Sequence, residues 1–132
     1  MAIKYRIDQM MSIVYVNLTG EVSDAEFTNA IEMLLHDPKY CPGIDSMIDF
    51  RAIERFDVSP QTIHQALAIV SNTLDDYPYP WRMAIVAPSS HVYGISRVYQ
   101  ILREGSMEEV GVFRDAESAR EWLGLPEGEV KP

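Results

Sequence analysis

Five consecutive residues, Met83-Ala84-Ile85-Val86-Ala87, are apolar at every position, and the chain on either side of them has the pattern of a helix. A strand of this kind has apolar side chains on both faces, so both faces must be covered, as they are for an inner strand of a parallel sheet. Parallel neighbours need crossover connections of a dozen or more residues, and helices supply them. This segment therefore restricts the chain to an α/β architecture before any other element is placed.

The other elements fit that restriction. Ile3, Tyr5 and Ile7 alternate with Lys4, Arg6 and Asp8, the pattern of a half-exposed strand. Ile13 to Leu18 is apolar on both sides and belongs deeper in the sheet, and the short segment Gln9 to Met11 makes the two strands a hairpin. Ser23-Asp24-Ala25-Glu26 has capping-box spacing, followed by Phe27, Ile31, Leu34 and Leu35 on one helical stripe, which Asp37-Pro38 ends. Ile44 to Phe50 is the third strand. Ser59-Pro60 caps a second helix with a stripe of Ile63, Leu67, Val70 and Leu74. Ser89 or Ser90 caps a third, whose inward residues are Val92, Ile95, Tyr99 and Leu102. Gly94 inside this helix costs about 1 kcal/mol relative to Ala, which close approach of helix and sheet would explain. Val110 to Phe113 is the fifth strand, and Asp115 caps a fourth helix that Gly124 closes. The expected order is β-β-α-β-α-β-α-β-α: one α/β domain over 1–125, with a mixed five-stranded sheet, antiparallel at its N-terminal edge and parallel elsewhere, and a tail over 126–132.

Composition narrows the function. The 132 residues carry 20 acidic and 11 basic side chains, a net charge of -9. Nucleic-acid binding needs clustered Lys and Arg to displace counterions, and these are scattered, so no nucleic acid is expected. No apolar run reaches the ~20 residues that span a bilayer, and no signal-peptide core is present, so no membrane insertion is expected. One cysteine, Cys41, leaves no internal disulfide and fits the cytoplasm. His36, His64 and His91 stand on three helices at no ligand spacing, so no metal is expected. The seven glycines form no nucleotide-binding loop, and no cofactor is expected. Ser89-Ser90-His91 lacks the Gly-x-Ser-x-Gly elbow, and adjacent residues do not make a triad, so an acyl-transfer enzyme is not expected.

At this point the chain resembles a known fold. Its order of elements is similar to the SpoIIAA-like fold of bacterial anti-sigma-factor antagonists (STAS domains) and, more distantly, of CRAL-TRIO lipid-transfer domains. Three segments carry the resemblance to stand-alone SpoIIAA-like proteins: Met47-Ile48-Asp49-Phe50, Val92 to Gln100, and Val112-Phe113-Arg114-Asp115 with Ala119 to Leu123. In regulatory STAS domains an Asp-Ser pair and a nearby Gly follow the central strand, and a kinase phosphorylates the serine. Here Asp49 is followed by Phe50, Arg51 and Ala52, so the resemblance implies the fold without that switch. Ser59 is the remaining candidate phosphorylation position, as a helix cap where the dipole favours negative charge.

Ligands of parallel α/β sheets lie beyond the carboxyl ends of the strands. The residues expected there are Asp49, Arg51, Ser89, Ser90, His91 and Arg114, with Arg97 two turns into the third helix. Each also has a structural reading: Asp49 as an ion-pair partner, the serines as caps worth about 1 kcal/mol, Arg114 with Asp115 as a solvated pair. Tyr77, Tyr79 and Trp81, spaced by two prolines, are either a surface for self-association or rings folded over the base of the core. The function expected from all of this is a non-catalytic cytoplasmic interaction or regulatory module that docks a protein partner or itself as a homodimer. The alternative is a small binding protein for an apolar or anionic metabolite or lipid, as the CRAL-TRIO kinship implies, with its pocket between the sheet and the second or third helix.

Overall fold

The computed structural model describes residues 2–126. The elements are β1 (Ile3–Asp8), β2 (Ile13–Ser23), α1 (Asp24–Leu35), β3 (Asp45–Asp57), α2 (Pro60–Leu74), β4 (Trp81–Val86), α3 (Ser90–Leu102), β5 (Glu108–Phe113) and α4 (Ala116–Leu123). The strands lie in the order β1-β2-β3-β4-β5, with β1 antiparallel to β2 and the other pairs parallel. Ser46 on β3 pairs with Met83 on β4, and Met83 in turn with Val110 on β5, so the wholly apolar segment is an inner strand. The predicted tail 126–132 lies outside the described residues apart from Pro126.

Strand order equal to chain order has a direct consequence. Each parallel crossover steps the same way and has the same hand, so α1, α2 and α3 all cover one face of the sheet. On that face Val14, Val16, Leu18, Ile85, Phe50 and Val92 make the larger core, with Phe27 and Leu34 of α1 packed against it. On the other face Ile13, Tyr15, Met47, Ala84 and Val86 pack on Ala116 and Ala119 of α4. Period-two alternation therefore assigns each strand residue to the three-helix face or to the α4 face.

α1 is the least embedded of the three covering helices, with no fully buried residue. Polar contacts hold both its ends. The Asp24 carboxylate accepts the Ser59 N–H at 2.8 Å, and the Tyr5 hydroxyl donates to Asp37 at 2.7 Å. The capping box predicted at Ser23 and Glu26 is present, as are the caps at Ser59, Ser89 and Asp115.

Three expectations are corrected. β3 does not stop at Phe50: β2 and β3 run on together beyond the rest of the sheet, pairing Thr19–Ser23 with residues 52–57 through two register shifts. Leu102 does not point inward; it is 37% exposed, and Ser96 and Arg103 are buried on α3 instead. A Cβ on Gly94 would meet nothing within 4 Å, so close approach to the sheet is not the reason for that glycine.

Candidate functional site

The three crossover helices do not fill the space above the sheet. A cavity of about 160 Å³ lies between them and the strands. Its floor is Val16, Leu18, Ile48 and Ile85, all on the three-helix face, and its walls include Phe27 and Ile31 of α1, Val70 of α2 and Ile95 of α3. Ala30 and Ala66 also line it, and their short side chains leave room where α1 and α2 pass over the sheet. A cavity with such a lining stays free of water unless polar groups convert it, and one of about 150 Å³ accepts a benzene ring.

Polar groups do occur, and they gather towards the amino ends of the parallel strands: Ser46 near the start of β3, Glu108 at the start of β5, and Ser96 and Tyr99 on α3. Glu108 is the centre. One carboxylate oxygen accepts from the Tyr99 hydroxyl at 2.7 Å and from Arg103 Nε at 2.8 Å; the other accepts from Trp81 Nε1 at 3.2 Å. Arg103 extends the network, donating through Nη2 to Asp75 at 2.9 Å. A buried carboxylate is costly unless paired and hydrogen-bonded, and here both conditions are met. Arg103 is also the C-cap of α3 and Asp75 that of α2, so the network ties two helix ends to β5.

The electrostatics follow from burial. Burial, then the neighbouring Glu108 charge, pushes the Tyr99 hydroxyl well above its usual value. The same causes in the same order push Tyr40, also on the cavity wall, up to about 12. The hydrogen bond from Arg103 holds the Asp75 carboxyl below the usual carboxylate range. Tyr99 is thereby held as a neutral donor to Glu108.

The residues expected at the strand ends are not in this cavity. Asp49 lies on the α4 face, level with Asn17 and Val86, and binds Arg51 in a two-pronged pair with a shortest contact of 2.7 Å. Arg51 itself is within β3, not in a loop after it. Ser89 caps α3 through the Val92 N–H. Ser90, His91 and Arg97 are exposed on that helix. Arg114 donates to the Pro88 carbonyl at 2.9 Å and lies over the Tyr93 ring at 4.1 Å. These are separate local contacts rather than one constellation. Ser59 caps α2 through the Thr62 N–H, and the Asp24 carboxylate on its own amide would face any phosphate added there.

The aromatic segment divides. Trp81 is 3% exposed, a core residue of β4. Tyr77 stacks on it edge-on, with ring centres 5.9 Å apart, and fills the space where Gly43 lacks a side chain. Only Tyr79, 64% exposed, stands at the surface. The Arg103, Glu108 and Asp75 network is not evident from the sequence. Its one local sign is the i, i+4 spacing of Tyr99 and Arg103 on an otherwise apolar stripe. Among the described residues no group of three or more His, Cys, Asp or Glu is placed to hold a metal ion, and no helix is long and apolar enough to cross a membrane.

No family model and no curated protein matches the chain. Among solved structures, it is similar to an uncharacterised protein of the DUF3478 family with a SpoIIAA-like fold from Shewanella loihica, at 19% identity and a TM-score of 0.54 over 92% of each chain. Identity at that level carries the fold and not the activity. With its mixed sheet in chain order and three helices on one face, the chain has the SpoIIAA-like fold.

Proposed function

We propose that this chain is a non-catalytic binding module that encloses a small, largely apolar molecule between the sheet and helices α1 to α3. The observation that carries the reading is the cavity of about 160 Å³, walled by aliphatic and aromatic side chains and polar at one end only. An empty space of that size is costly, since each missing methylene loses both transfer and contact energy. A ligand of one ring, or a short acyl chain, recovers it. The paired Glu108, with Tyr99 and Ser96, favours a neutral hydroxyl or amide at the inner end and disfavours a free carboxylate, which would meet a like charge there.

The strand-end rim supports a site less well, because Asp49 and Arg51 satisfy one another and neither lines the cavity. A second reading, docking of a protein partner in a regulatory role in the cytoplasm, is favoured by the exposed apolar side chains of α3 and is compatible with a ligand inside the same fold.

Thermal unfolding in the presence of toluene and p-cresol tests the proposal. A ligand that binds only the folded state raises the melting temperature by mass action. Both compounds should do so, and p-cresol, with its hydroxyl, more strongly. If neither does at millimolar concentration, the cavity is not a binding site.

A further inference from the structure

α3 has two faces of different character. Val92 and Ser96 are buried, and Tyr99 and Arg103 reach into the network around Glu108. On the outer face Val98 is 49% and Ile101 55% exposed, with Leu102, 37% exposed, beside them. Exposed apolar residues are ordinary when scattered, but three at positions i, i+3 and i+4 of one helix form a patch. At 100° per residue Arg97 falls along one flank of this patch and Leu102 along the other, and Glu104, one residue past the Arg103 C-cap whose backbone stays in the right-handed helical region, continues the Arg97 flank. Neither Arg97 nor Glu104 takes part in an ion pair among the described residues.

We infer that the outer face of α3 binds the same face of a second copy of this chain, the two helices lying antiparallel across a two-fold axis. In that arrangement facing residue numbers sum to a nearly constant value, and each contact occurs twice. With the axis level with the Gln100–Ile101 step, Arg97 faces the partner's Glu104, while Val98 faces the partner's Ile101 and the partner's Leu102. One register thus buries the apolar patch and pairs both flanking charges. In a parallel pair each flank meets the partner's opposite flank, so Arg97 and Glu104 would both lie against the Leu102 flank without an opposite charge, and the charges select the antiparallel pair. The net charge of -9 opposes association of two copies, which makes local pairing of opposite charges necessary at this surface. A single helix pair buries less than the ~1,200 Å² of a standard interface, so the dimer is weak and depends on concentration.

Sedimentation equilibrium of the full chain over a range of concentrations tests this, with circular dichroism as the check on folding. The wild-type mass should climb from one copy towards two. Ile101→Asp should remain monomeric across the range. Arg97→Glu and Glu104→Arg should each weaken association about tenfold, and the double variant Arg97→Glu/Glu104→Arg should regain it, because the swap restores opposite charges across the axis. A wild-type chain that is monomeric at millimolar concentration overturns the inference. So does a dimer untouched by Ile101→Asp, or a double variant as weak as the single ones.

Discussion

Nε of Arg103 lies 2.8 Å from Oε1 of Glu108, and the two side chains are only 3% and 2% exposed. Glu108 stands on the wall of a largely apolar cavity, and the pair's contacts reach the ends of α2 and α3 and the strands β4 and β5. Removing one member of a buried pair strands the other. Arg103→Met should cost about 3–5 kcal/mol in urea unfolding, because Glu108 is left with the neutral donors Tyr99 and Trp81. Glu108→Gln should cost less, since Arg103 keeps Asp75. The double variant should cost less than the sum of the two, as expected for groups in contact.

Tyr40, with the more deeply buried Tyr99, contributes to the alkaline limit of stability. Burial first, and the Glu108 charge second, raise its folded pKa from 10.0 to about 12. A raised folded pKa means that the neutral tyrosine stabilises the fold. That contribution is complete below the unfolded value and is lost as pH rises through the folded one. Stability should therefore fall between about pH 10 and 12, and Tyr40→Phe should flatten that limb in urea titrations taken at successive pH values. An unchanged slope in the variant would remove Tyr40 as its source.

Two glycines should respond to alanine in opposite directions. Gly43 has φ +93°, and the Tyr77 ring occupies the place of its absent Cβ. Gly43→Ala adds backbone strain to a steric clash and should destabilise by about 2–4 kcal/mol, part of which Tyr77→Leu in the same chain recovers. Gly94 is exposed within α3 with open space around it, so Gly94→Ala should stabilise by about 1 kcal/mol at concentrations where the chain is monomeric. Thermal melts of the two variants check both signs.

How much of this was legible in the sequence depended on whether the physical cause was local. Ser23, Ser59 and Asp115 announce their helices because a cap is satisfied within three residues. Met83 to Val86 announces an inner strand because burial on both faces requires apolar residues throughout. The extension of β3 past Phe50 gave no such signal. Residues 51–57 pair only with the end of β2, so most of their side chains face solvent and their pattern is polar. Arg103 was hidden for a different reason. A charged residue on the buried side of a helix looks like the helix's end until Glu108 and Asp75, on other elements, are known to meet it. The cavity has no sequence signature of its own. It arises because three crossovers of one hand place three helices over one face, with Ala30 and Ala66 where larger side chains would close the gap.

Filling the cavity from within tests whether it binds a ligand. Ala66 is 4% exposed and faces the empty space, so Ala66→Leu fills part of it with a side chain from α2. Calorimetric titration of p-cresol into the wild type and into Ala66→Leu, both shown to be folded, measures binding inside the cavity. The wild type should give a saturable heat, and the variant should lose at least tenfold in affinity. No saturable heat with the wild type, or equal affinity in the two proteins, would contradict it.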